Sequence, residues 1–231
     1  MNLAFLAAVF SIASAEDKKP DVYVINTHIV IEAAYQDEHP QWGREIFDII
    51  DEVNKQFANE NLPVDLKVKD INTVSADFNK PKEVAFLELG QDAIIVPDRV
   101  TNALVYVHNQ YYTQNYPENN EIVIVFIRQY RGRFPWWGMA YYASDLLPHV
   151  AVVARPQSAD CNSSNQNCFP FLVHLVMHEV CHLFNAKNLK FSHSGHYLMY
   201  EKFSVNNKPT FKIDKFNRAR ILPALKIYKT D

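Results

Sequence analysis

FPFLVHLVMHEVCHLFN, residues 169–185, is the most informative stretch of the sequence. Its apolar residues recur at helical spacing, and a proline stands where the first turn of a helix tolerates one. Asn185 follows where the chain needs a left-handed residue to leave the helix. On such a helix His178 and His182 project from one face, one turn apart, so both imidazoles can reach a single metal ion. The stretch therefore predicts a helix that carries a metal site.

Glu179 directly follows the first of these histidines. A carboxylate at this position can reach a water molecule at the metal, which completes the HExxH arrangement of two zinc ligands and a general base. His174 lies one turn earlier on the same face, but it continues along the helix and cannot close a tetrahedron from the opposite side. We therefore expect His174 to pack in the core or to orient a neighbouring ligand.

The residues after the helix extend this pattern as far as Asn188 and then Met199, which stands between Leu198 and Tyr200. The arrangement resembles that of the metzincin zinc peptidases, in which HExxHxxGxxH precedes a methionine turn beneath the metal. The resemblance implies Zn²⁺ as cofactor, two histidine ligands at the HExxH motif, and Met199 in the methionine turn. Asn185 stands where the family has glycine, and Asn188 stands where it has a third histidine.

The third zinc ligand has three candidates. A catalytic zinc ion needs three protein ligands and one open position. Asn188 occupies the family position, but its amide oxygen is a neutral ligand that binds zinc less well than imidazole does. His193 and His196 lie in the following loop, and either one is an alternative if that loop bends inward.

The rest of the chain predicts a single α/β (α+β) domain. Runs rich in β-branched residues predict strands at 21–31, 64–71, 121–127 and 150–154, and helical spacing predicts helices at 43–57, 92–112 and 214–228, the last bent at Pro223. This order is similar to that of the reprolysin, or adamalysin, branch of the metzincins. The resemblance implies a zincin-like catalytic domain over residues 16–231, with a mixed twisted sheet.

The run Gly138-Met139-Ala140-Tyr141 resembles the Gly-x-Ala edge strand of that branch. In that family the edge strand binds the substrate main chain in an antiparallel ladder above the metal, which is a form of β-augmentation. The residues alone leave a second interpretation open, in which Gly138 marks a bulge or a tight bend.

Residues 1–15 predict a secretory signal peptide, because they are uncharged and apolar and end in small residues before a charged run. The mature protein is then extracellular. Cys161 and Cys168 bracket a polar loop, which a disulfide could close outside the cytosol. Cys181 lies inside the helix and is expected to be a buried thiol. Asn162 begins an N-glycosylation sequon.

Composition limits the partners. The net charge of −3 gives no reason to expect nucleic acid or an anionic membrane as a partner, and the 48% hydrophobic content fits a globular domain. After residue 15 no apolar run reaches the roughly 18 residues that a membrane helix needs. The leading hypothesis is a secreted zinc metalloendopeptidase, a hydrolase acting on protein or peptide substrates. The alternative is a catalytically weak or silent metzincin-fold binding protein, because of Asn188. The sequence does not indicate an oligomeric state.

Overall fold

The computed structural model describes residues 21–75, 121–128, 138–141, 149–155, 168–190, 197–200 and 208–228, together with Phe78, Ala103, Tyr106 and Val107. Several predicted features lie outside the described residues: the signal peptide at 1–15, Cys161, Asn162, His193 and His196.

The described part of the chain forms a five-stranded mixed sheet. The strands β1 (Tyr23–Glu32), β2 (Val64–Val74), β3 (Glu121–Arg128) and β5 (Val150–Arg155) are parallel. The short strand β4 (Gly138–Tyr141) pairs antiparallel with β5. The strand order is β2-β1-β3-β5-β4, so β3 lies in the middle, and it is buried over nearly its whole length, as its unbroken apolar run predicts.

The helices of the described residues are α1 (Ala33–Glu38), α2 (Trp42–Asn59), α3 (Cys168–Leu183) and α4 (Lys215–Ala224). The predictions for α2 and α3 are confirmed, and of the helix expected at 92–112 the described positions 103, 106 and 107 are helical. The sequence did not predict α1, whose six residues have no side-chain N-cap. No helix in the described ranges is long and apolar enough to cross a membrane.

The closing helix differs from its prediction. We expected one bent helix to residue 228, but α4 ends at Ala224 and continues as a 3-10 turn over Leu225–Tyr228. Pro223 has no N–H to donate to the carbonyl four residues earlier, which favours the end of the α-helix and the start of the 3-10 turn near this residue.

The two faces of the sheet contribute to two separate hydrophobic clusters, since successive strand residues point to opposite sides. One cluster joins α2 and α3 to strand residues such as Ile29 and Ile124. The other contains Val30, Val123 and Val125. α3 therefore lies on one side of the sheet only, and the mixed α/β class predicted from the sequence is confirmed.

Candidate metal centre

The end of α3 turns the chain back toward its own histidines. Asn185 has a φ of 68°, which confirms the left-handed residue predicted there. The N–H of Asn185 donates to the carbonyl of His182 at 2.9 Å, and the N–H of Ala186 donates to the carbonyl of Cys181 at 3.0 Å. This pair of bonds is a Schellman motif. We call residues 185–188 the exit turn, and its last residue, Asn188, returns to α3.

Three electronegative atoms meet at this place. Nε2 of His178 lies 3.2 Å from Nε2 of His182, and Nε2 of His182 lies 3.1 Å from Oδ1 of Asn188. The structure thus brings together the two predicted histidine ligands and the first of the three candidates for the third ligand.

The other ring nitrogens determine which protons these imidazoles carry. Nδ1 of His178 lies 2.9 Å from the carbonyl oxygen of Leu198, and Nδ1 of His182 lies 2.9 Å from that of Ala186. A carbonyl oxygen only accepts, so each Nδ1 donates its proton and each Nε2 of the neutral ring keeps a lone pair. The two Nε2 atoms and the amide oxygen are all acceptors, so they cannot form hydrogen bonds with one another. Three lone-pair atoms that face one another suit a bound cation.

Partial burial disfavours the protonated form of both imidazoles. Burial, together with the neighbouring His182, lowers the pKa of His178 to about 3. Burial also lowers the pKa of His182. A metal ligand must be deprotonated at the coordinating nitrogen, so both rings are in the form that a metal requires at neutral pH.

Glu179 lies against the start of β4. Its side chain is buried, and burial raises the pKa of its carboxyl to about 8. A Cβ atom built on Gly138 would overlap Oε1 of Glu179 and would lie only 2.7 Å from its Cγ. Gly138 pairs in regular register with Val153, so a close approach rather than a bend accounts for the glycine. The edge strand therefore touches the candidate general base.

The predicted methionine turn lies next to the first histidine. Met199 is fully buried, and its carbonyl accepts the N–H of Leu189 at 2.8 Å. The preceding residue, Leu198, supplies the carbonyl that holds His178. The role of Met199 in a methionine turn beneath the metal stays a prediction.

His174 packs behind the centre and does not join it. Its Nδ1 bonds the carbonyl oxygen of Thr210 at 2.7 Å, and its ring stacks on His178 with centroids 6.1 Å apart. The prediction of a packing or orienting role agrees with this placement.

Other predicted residues divide between the described and undescribed ranges. Cys181 is a free, buried thiol, as expected. The pairing of Cys161 with Cys168 stays a prediction, because Cys161 is outside the described residues. His193 and His196 are outside them too. Within the described ranges no group of three or more His, Cys, Asp or Glu side chains could hold a metal ion, and this centre has two histidines and an amide.

Sequence reasoning missed two residues of α4 that contact the exit turn. Asn217 forms hydrogen bonds with the main chain of Lys187, and Arg220 forms hydrogen bonds with Asn185. The pattern of α4 indicated only a closing helix, and no local signal connects it to residues some 30 positions earlier. A buried asparagine is the kind of residue that has a specific partner, but burial was not visible in the sequence.

Comparisons with known proteins identify the fold. No protein-family model matches the sequence, and no curated protein matches it. Among solved structures, an archaemetzincin from Methanopyrus kandleri is 11% identical with a TM-score of 0.55, over 88% of this chain and 97% of that one. Metalloproteinase-II from Bacteroides fragilis is 12% identical with a TM-score of 0.51, over 88% and 54%.

A chain from a chaperone–substrate complex is 13% identical with a TM-score of 0.53, and the match covers 91% of this chain but 36% of that one. At such identities the likeness shows the fold alone. The fold is that of the zincin-like metallopeptidases, as the sequence predicted, whereas membership of the reprolysin branch stays a prediction.

Proposed function

We propose that the chain is a zinc-dependent metalloendopeptidase of the reprolysin-like kind, which acts outside the cell on protein or peptide substrates. The observation that carries this proposal is that Nε2 of His178 and Nε2 of His182 on α3 meet Oδ1 of Asn188 from the exit turn. The residue after His178 is the buried Glu179. The extracellular location rests on the signal peptide predicted at residues 1–15.

The two imidazole nitrogens fit zinc, which also binds oxygen ligands and leaves one position open in catalytic sites. His178 and His182 would hold the ion through Nε2, and Asn188 would hold it through Oδ1. When bound, zinc supplies a Lewis acid that polarises the substrate carbonyl and acidifies water. The carbonyls of Leu198 and Ala186 keep both rings oriented for this role.

Glu179 moves the proton. Its carboxylate accepts a proton from the attacking water and later passes it to the nitrogen of the leaving amine. Burial favours the protonated form, with a pKa of about 8, and a nearby cation favours the ionised form. The two effects oppose each other, so the carboxyl of Glu179 is suited to accept and release a proton near neutral pH.

β4 offers a place for an extended substrate. It is the last strand in the order of the described sheet, so one of its edges is paired with β5 and the other has no neighbouring strand there. Such an edge can bind a peptide main chain as an additional antiparallel strand. Because Gly138 touches Glu179, a peptide on this edge would run beside the proton-transfer group.

The test is Glu179→Gln, assayed on an unfolded protein substrate with zinc present. The amide keeps the shape of the side chain but cannot accept a proton, so we expect the cleavage rate to fall by about 10²–10⁴-fold or more. Zinc content should stay at the wild-type level. Glu52→Gln, on the outer part of α2, is the matched control and should cleave normally. Cleavage by Glu179→Gln at the wild-type rate would disprove this mechanism.

A second candidate function is that of a binding protein with the same fold and little or no activity. The observation that favours it is Asn188, since a neutral amide is a weaker zinc ligand than the third histidine it replaces. Zinc stoichiometry separates the two functions when the protein is purified without added metal or chelator. Zinc far below one ion per chain, together with no cleavage, would favour the binding protein.

A further inference from the structure

We infer that Asn217 and Arg220 of α4 are positioning residues that hold the exit turn and so fix Asn188 at the metal centre. The inference rests on the proposed function, because it takes Asn188 to be a zinc ligand. The two residues are three positions apart and therefore lie on one face of α4. Neither belongs to the HExxH pattern.

The side-chain amide of Asn217 both accepts a hydrogen bond from the exit turn and donates one to it. The N–H of Lys187 donates to its Oδ1 at 2.7 Å, and its Nδ2 donates to the carbonyl of Lys187 at 3.0 Å. Nδ2 also donates to Oδ2 of Asp214 at 2.8 Å, so acceptors and a donor together determine which way the amide points. Asp214 in turn caps α4 by accepting the N–H of Asn217 at 2.9 Å. Asn217 is fully buried, so losing these bonds leaves groups without partners.

Arg220 holds the left-handed residue of the turn. Its Nε donates to the carbonyl oxygen of Asn185 at 2.7 Å, and its Nη2 donates to Oδ1 of Asn185 at 2.6 Å. A non-glycine residue at a φ of 68° is strained, and a charged fork that binds both its main chain and its side chain offsets this cost.

The contacts of the exit turn alternate along the chain. Asn185 and Lys187 are held by α4, whereas Ala186 and Asn188 face the two nitrogens of His182. Ala186 is also held by α3, because its N–H donates to the carbonyl of Cys181 at 3.0 Å, so loosening the first pair displaces mainly Asn188. An amide oxygen is a weak zinc ligand, so its affinity depends on being held in place, and residues that orient ligands typically account for about 10–100-fold in metal affinity.

The experiment measures zinc affinity by competition with a chelator, and it does not depend on peptidase activity. Arg220→Met should lower zinc affinity by about 10–100-fold. Arg218→Met is the matched control, because Arg218 lies on the same helix and donates to Glu60 at 3.2 Å rather than to the exit turn. It should leave zinc affinity unchanged. Asn217→Ala should act like Arg220→Met if thermal melting shows that it folds, and Arg220→Met carries the test if it does not.

Repeating the measurement in a variant without Asn188 separates an effect on the position of Asn188 from a general loosening of the structure. In Asn188→Ala protein the amide ligand is already gone, so adding Arg220→Met should change zinc affinity by no more than a few-fold. An equal loss in both backgrounds, or a loss with Arg218→Met, or none with Arg220→Met, would overturn the inference while leaving the proposed function standing. Failure of the wild-type chain to bind zinc would overturn both. The expected affinity pattern without any proteolysis would support the inference and count against the peptidase.

Discussion

Histidines on the two faces of the sheet have opposite kinds of partner. On β1, His28 places Nδ1 2.8 Å from Oδ2 of Asp70 and Nε2 3.1 Å from Oε2 of Glu121, so a carboxylate stands at each ring nitrogen. In the metal centre, His178 and His182 each place Nδ1 at a main-chain carbonyl and turn Nε2 toward the other ring.

The difference shows that the partners of a histidine decide what it can bind. An imidazole with a carboxylate at each ring nitrogen has no nitrogen free to face a metal. An imidazole that donates from Nδ1 alone keeps the lone pair of Nε2 and aims it in a defined direction. The buried carboxylate of Glu121 also forms an ion pair with Lys69, so charged side chains surround His28.

The two clusters can be changed independently. His28 pairs in register with Val123 and shares its face of the sheet, which belongs to the second hydrophobic cluster. α3 packs on the other face, with residues such as Ile29 and Ile124. A change at His28 therefore tests the sheet without touching the metal centre.

The largest expected difference is between His182→Gln and His28→Gln. Removing a ligand should reduce zinc affinity by more than about 100-fold, since even residues behind the ligands account for 10–100-fold. His28→Gln should keep wild-type zinc affinity but lower the free energy of unfolding by about 1–3 kcal/mol, because the buried Glu121 loses a donor. Metal analysis after gel filtration and urea unfolding measure the two effects. Zinc loss in both variants would break the comparison.

A smaller effect is expected at the third ligand. Asn188→His replaces a neutral amide by imidazole at the end of the exit turn, so zinc affinity should rise by on the order of 10-fold. Competition against a graded chelator measures it, with Asn188→Ala as the control that should lose affinity. Unchanged affinity in Asn188→His, with loss in His193→Ala or His196→Ala, would show that a loop histidine is the third ligand instead.

Local patterns predicted the parts of the molecule that depend on neighbours in the chain. The i, i+4 spacing of His178 and His182 and the position of Asn185 determined one face of α3 and its end. The carboxylate partners of His28 and the carbonyl partner of His178 could not be predicted from local patterns. His28 contacts residues 42 and 93 positions away, and His178 contacts one 20 positions away. Arg220 was missed for the same reason, since it holds a residue 35 positions earlier.

The smallest expected effect concerns His149, whose environment is a third kind. Burial lowers its pKa to about 4, its ring lies 5.0 Å from that of Tyr228, and its Nδ1 has no hydrogen-bond partner among the described residues. Its pKa in the unfolded chain is about 6.5. Between these two values the unfolded chain binds more protons than the folded one, so this residue makes stability fall as the pH falls, by up to about 1.4 kcal/mol per pH unit.

His149→Phe keeps an aromatic ring beside Tyr228 and removes the titration. We therefore expect the metal-free variant to lose less stability than the wild type between pH 6.5 and 4, with parallel curves above pH 7. Urea unfolding at a series of pH values gives both slopes, and their difference isolates His149 from the other buried histidines, which contribute equally to the two proteins. Equal slopes would mean that His149 is protonated as readily in the folded chain as in the unfolded one. Burial without a carboxylate partner would then not be what keeps a histidine of this fold neutral.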